Sequence, residues 1–81
     1  MLNIQIIGSG CPNCLKLEEL CRKVVIKNNL KASIEKITDM NTFGDFGIFI
    51  TPGLVVNGKV LSQGKIPTET TLIHWLSNTN N

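Results

Sequence analysis

Two cysteines three positions apart, Cys11 and Cys14 in the stretch Gly8-Ser9-Gly10-Cys11-Pro12-Asn13-Cys14, are the residues of this 81-residue chain best suited to chemistry. Such a pair has three uses: a redox couple, half of a metal site, or two small hydrophobes in a core. A thiol attacks only as the thiolate, and the N-terminal end of a helix stabilises that anion through unpaired N–H groups and the helix dipole. Proline suits the first turn of a helix, where its missing N–H has no partner to lose, so a helix opening at Pro12 sets Cys11 where those donors point. Cys14 follows one turn later on the same side. In this arrangement Cys11 attacks and Cys14 resolves, closing a disulfide once Cys11 holds a mixed disulfide with its substrate. A structural staple is the poorer reading, since closing so short a loop stabilises a fold by only about 2 kcal/mol. The spacing itself leaves redox and metal use open.

The third cysteine and the one histidine do not extend the pair into a zinc site. Cys21 lies seven residues beyond Cys14, about 10 Å along a helix, too far for both sulfurs to sit about 2.3 Å from one ion. Cys21 is expected in the core and Trp75 with it, whereas His74 is expected half-exposed on the last helix. No metal site is assigned.

The elements that must position the pair follow from periodicity. Leu2 to Ile7 is a short apolar strand, released by the Gly8-Ser9-Gly10 loop. Cys14, Leu17, Leu20, Cys21, Val24 and Val25 form the apolar stripe of the helix after Pro12, with Glu18–Arg22 and Glu19–Lys23 as i,i+4 charge pairs on its other side and Asn28-Asn29 as its stop. Ala32 to Ile37 is a second strand, parallel to the first across this helix. Asp39 caps a short helix carrying Met40 and Phe43, weakened by Gly44 and Gly47. Gly53 to Ser62 reads as a hairpin turning at Asn57-Gly58, the pair that type I′ turns favour. Thr68 precedes a last helix whose apolar face is Leu72, Ile73, Trp75 and Leu76, and residues 77–81 read as a polar tail. The order is β-α-β-α-β-β-α, an α/β fold with a four-stranded mixed sheet flanked by helices. The length suits one domain over residues 1–81.

Composition narrows the partners. Eight Lys and Arg against six Asp and Glu leave a net charge of +2, spread along the chain with few aromatics, which is not the basic stripe of a nucleic-acid binder. No apolar run approaches the roughly 18 residues of a membrane span, and the first residues lack the features of a leader. A cytoplasmic monomer is the expectation. In a reducing compartment an odd count of three cysteines argues against a disulfide framework and for catalysis or metal binding by the close pair.

The sequence Cys-Pro-Asn-Cys after a strand and glycine loop, joined with Thr-Pro-Gly-Leu-Val-Val-Asn-Gly-Lys-Val from Thr51 to Val60, resembles the small thioredoxin-like redox-active disulfide proteins. The resemblance covers Leu2 to about Leu76. It implies that Cys11 and Cys14 are the redox pair, with Gly10, Pro12 and Asn13 as supporting residues. It implies a cis peptide at Thr51-Pro52, which offers the Thr51 backbone to an extended substrate, and a hairpin turn at Gly58. The implied activity is thiol–disulfide exchange, reducing protein disulfides at the expense of an upstream thiol reductant, with no cofactor besides the cysteine pair. The chain departs from the family in three ways. Gly53 stands where relatives often have a bulkier residue. Gly10 replaces the tryptophan that larger thioredoxins carry before the first cysteine, and no acid occurs between Leu2 and Gly10, leaving Asp45 as a weak proton-transfer candidate. The glutaredoxin double glycine is absent, since Ser62 to Lys65 supplies only Gly64. A Cu(I)-binding chaperone domain is the alternative use of the same cysteines, although such domains end in a strand and have no need of a Thr-Pro before a hairpin.

Overall fold

A strand of alternating and then continuous apolar residues belongs at the centre of a sheet, and β1 (Leu2–Ile7) takes that place. The structure is a computed structural model and describes residues 2–10 and 12–79. The strand order is β2-β1-β3-β4. Strand β2 (Ala32–Ile37) pairs parallel to β1 from Leu2↔Ala32 to Ile7↔Ile37. On the other side β3 (Gly53–Val56) runs antiparallel, from Ile4↔Val56 to Ile7↔Gly53. Strand β4 (Lys59–Gln63) closes the hairpin at the sheet edge. Asn57 and Gly58 both have positive φ, 53° and 82°, the backbone of a type I′ turn. Asn57 also ties the hairpin to β1: its N–H donates to the Asn3 carbonyl, and its side-chain oxygen accepts from the Asn3 N–H, each at 2.9 Å.

Both faces of the sheet are covered. Helix α1 (Pro12–Lys27) and helix α2 (Glu69–Thr79) pack on one face through Leu17, Cys21, Val24, Leu72 and Leu76, against Ile4, Ile6, Leu54 and Val56. On the other face Ile7 and Val55 meet Ile48, with Phe43, Phe46 and Val60 at the margin. The alternation Leu54, Val55, Val56 serves both faces, which is why β3 is buried at every position.

The expected Asp39-capped helix is present, and the structure refines other expectations. Met40–Phe46 forms a 3-10 helix, capped at Asp39, whose carboxylate accepts from Asn41 N–H at 3.0 Å; Gly47 ends it at φ 79°. Helix α2 extends to Thr79, three residues into the stretch read as a polar tail. Glu18 belongs to the buried side of α1 rather than its solvent face, and Lys23 reaches across to Glu69 at 3.3 Å instead of back to Glu19. His74 is exposed, while Trp75 is partly buried against the core. A bulge in the hairpin, where Leu54 pairs with Ser62 but Val55 with Val60, leaves Leu61 as the extra residue. Among the described residues no helix is long and apolar enough to cross a membrane.

Candidate active site

The sheet explains how residues some forty positions apart in the chain come together. Strand β1 ends at Ile7, directly opposite the Gly53 that starts β3, so Gly8 leaves the sheet at the end where Pro52 enters it. Gly8 continues the parallel ladder for one more step, donating its N–H to the Ile37 carbonyl at 2.9 Å. The chain then turns through Gly10, at φ 91°, into the first turn of α1. Cys11 lies outside the described residues; Pro12 and Asn13 follow it as exposed residues, and Cys14 is buried at 5% exposure.

Close packing fixes the position of the Cys14 sulfur. A methyl group built on Gly8 would overlap Sγ of Cys14, stand 3.3 Å from its Cβ, and touch Cβ of Thr51 at 3.9 Å. Cys14, Gly8 and Thr51 therefore converge on a space that only a glycine leaves open. Gly8 lacks the positive φ that by itself calls for glycine, so the requirement here is volume. The Thr51-Pro52 peptide is cis, with Pro52 buried and Thr51 exposed.

The segment before Pro52 is held by the end of β4. Gln63 Oε1 accepts from the N–H of Phe49 at 2.9 Å and of Ile50 at 3.4 Å, while its Nε2 donates to the Gly47 carbonyl at 3.3 Å. The Gly64 N–H donates to the Pro52 carbonyl at 2.9 Å. Gly53 has its own packing reason: a Cβ there would come within 2.6 to 2.9 Å of three side-chain carbons of Ile48. Ile48 fills the space that a side chain at Gly53 would take.

Cys21 is fully buried on the same helix, and burial, reinforced by the nearby Glu18 carboxylate, pushes its thiol from 9.0 up to about 12. It stays a protonated core thiol. Glu18 accepts from Arg22 at 2.8 and 3.1 Å and lies 3.6 Å from the Lys36 ammonium. The Arg22 hydrogen bonds, assisted by the Lys36 charge, hold its carboxyl below the ordinary carboxylate value against the opposing effect of burial. Asp45 is exposed on the 3-10 helix. Among the described residues no three His, Cys, Asp or Glu side chains gather as a metal site.

Sequence reasoning passed over Gly8, Ile48 and Gln63; it anticipated the Glu18–Arg22 pair, which forms, but not the burial of Glu18. Gly8 carried a signal, a glycine at the point where a strand hands over to a cysteine pair, but it read as loop flexibility. Gln63 carried none, because its partners lie thirteen to sixteen residues away.

Comparison with known proteins agrees with this architecture. A thioredoxin domain family model matches residues 2–77. A protein named thioredoxin from Methanocaldococcus jannaschii is 37% identical over 68 residues, covering 84% of this chain and 78% of the relative. Another of the same name, from Methanothermobacter thermautotrophicus, is 36% identical over 69 residues, covering 85% and 90%. Nothing in these matches supports the copper-chaperone alternative, and the last described element is a helix. With a four-stranded mixed sheet in this order and a family match along nearly its whole length, the chain belongs to the thioredoxin domain family and is a thiol–disulfide oxidoreductase.

Proposed function

We infer that Cys11 and Cys14 are the dithiol of this oxidoreductase and that it reduces protein disulfides. The observation that carries the reading is the placement of Cys14. Its sulfur is buried where β1, α1 and the residues before β3 meet, on the first turn of the helix and beside Thr51. A buried sulfur cannot meet a folded protein substrate directly, so Cys14 suits the resolving role. Cys11 is left as the attacking thiol, and as the chain neighbour of Pro12 it gains acidity from the start of α1.

The exchange then balances in two steps. The Cys11 thiolate attacks one sulfur of the substrate disulfide; the substrate S–S bond breaks, a mixed disulfide forms, and the departing substrate thiolate takes a proton from water. The Cys14 thiol, after losing its proton, attacks the Cys11 sulfur and releases the second substrate thiolate. Two electrons have passed to the substrate, and the Cys11–Cys14 disulfide is returned to the dithiol by an upstream thiol reductant. Pro12 and Asn13 tune the pair, and Gly10 lets the loop turn into the helix. The cis Thr51-Pro52 unit presents the Thr51 backbone to an extended substrate segment. No cofactor beyond the cysteine pair is required, and the protein acts as a monomer in a reducing cytoplasm.

Turnover of insulin disulfides with dithiothreitol as reductant tests this. Cys11→Ser abolishes turnover, and Cys14→Ser accumulates a mixed disulfide with insulin. A Cys11→Ser protein that retains turnover, or one that accumulates the adduct in place of Cys14→Ser, would overturn the assignment.

A further inference from the structure

We propose that Gln63 is a positioning residue for substrate, acting through the segment Gly47 to Pro52. The inference rests on the reading of Thr51 as the backbone partner of a substrate. That segment has no helix or strand of its own after Gly47, and short irregular stretches at a surface are ordinarily mobile. Here it is fastened at four points to two consecutive residues at the end of β4. Gln63 holds the Gly47 carbonyl and the Phe49 and Ile50 N–H groups, and Gly64 holds the Pro52 carbonyl. The pairing Gly53↔Gln63 sets the register that brings this side chain alongside.

One residue is passed over by this clamp. The Thr51 N–H has no acceptor among the described residues, while the two N–H groups before it end on the Gln63 oxygen. The clamp thus consumes the Ile50 N–H and the Pro52 carbonyl on either side of Thr51, itself an exposed residue, and takes up no group of Thr51. Phe49 and Ile50, with 83% and 61% exposure, do not anchor the segment by burial. Ile48 and Pro52 anchor the segment by burial, and between them the hydrogen bonds of Gln63 order the exposed backbone strip before substrate arrives, so that binding need not do so. Ile50 is also set closely against Gly64, where a Cβ would lie 2.6 Å from the Ile50 Cγ2.

The test compares Gln63→Met, which keeps the length but removes all three bonds, with Gln63→Glu, which keeps the two accepted bonds and loses the donation to Gly47. Steady-state kinetics on insulin and on bis(2-hydroxyethyl) disulfide separate positioning from general damage. Gln63→Met should raise KM for insulin roughly tenfold with less than a twofold fall in kcat, a shift at the low end of what three lost hydrogen bonds cost. Its kcat/KM on the small disulfide should change less than twofold, and Gln63→Glu should recover most of the insulin KM. An insulin KM within twofold of the unsubstituted protein, or an equal loss on both substrates, overturns the proposal. Amide exchange at Thr51 in the insulin adduct of Cys14→Ser distinguishes the underlying reading. A Thr51 N–H unprotected in the adduct refutes the substrate-backbone role itself and the proposal with it, whereas a protected Thr51 with an unaltered KM in Gln63→Met refutes only the role of Gln63.

Discussion

Replacing Gly8 with alanine adds one methyl group to a backbone that tolerates it, and places that methyl on the sulfur of Cys14. Overpacking of a buried site by a single carbon costs about 1–3 kcal/mol, because the sulfur, the helix turn that carries it, or the Thr51 side must move. For a domain of this size that corresponds to a Tm lower by roughly 4 to 24 °C. The cost has an identifiable partner, which makes it separable from generic damage. In a Cys14→Ala background the sulfur is gone and the nearest remaining atom is a Cβ at 3.3 Å, a contact that a few tenths of an ångström relieves. The same Gly8→Ala change should then cost less than about 1 kcal/mol, leaving a coupling energy of about 1–2 kcal/mol, as is usual for residues in contact. Urea denaturation of the four proteins of this cycle, under reducing conditions, measures it. Equal costs of Gly8→Ala in both backgrounds would refute the placement of Cys14 against Gly8 and, with it, the volume argument for glycine there.

Two further predictions concern the buried side of α1. Cys21 is neutral in the fold up to about pH 12 but ionises from about 9.0 when exposed, so its contribution to stability is whole below 9.0 and is lost as pH rises towards 12. Cys21→Val should flatten the fall in stability over that window in denaturation curves, and iodoacetamide should leave Cys21 of the native protein unmodified at pH 8; a Cys21 that alkylates as fast as a free thiol contradicts its burial. Glu18 has the opposite sign: its carboxyl is held below the ordinary 4.5, so its contribution is present above 4.5 and is lost as pH falls through its lowered value. Glu18→Gln should therefore weaken the acid dependence of unfolding, and an unchanged profile would show that the Arg22 and Lys36 contacts do not bind the carboxylate in solution.

The sequence made the elements legible where residue type alone dictates conformation. The stripe from Cys14 to Val25 reads as one side of a helix, Asn57-Gly58 supplies the two left-handed residues of a tight turn, and Ala32 to Ile37 pairs parallel to Leu2 to Ile7 across the helix. It was less informative where long-range packing overrides local preference. The helix after Asp39 tightens to 3-10 form between its cap and the left-handed Gly47, and the polar residues after Leu76 continue α2 to Thr79. Glu18 looked like a surface charge because only the tertiary structure brings Lys36 from β2 to join Arg22 beside it. At the candidate site, Cys14 and Thr51-Pro52 were legible as motifs, but the reason they meet was not. Gly8 makes room for one sulfur, Gly53 for Ile48, and Gln63 fastens the intervening segment, and none of these three relations has a period or spacing that a linear reading can detect.

The proposed activity requires that Cys11 and Cys14 form one two-electron couple. Equilibrating the protein across a series of glutathione redox buffers, trapping free thiols by alkylation and locating them by mass spectrometry measures this directly. Cys11 and Cys14 should lose reactivity together along a single two-electron titration curve, with Cys21 remaining a thiol throughout and accessible to alkylation only after unfolding. A disulfide containing Cys21, or Cys11 and Cys14 oxidising independently of one another, would contradict it.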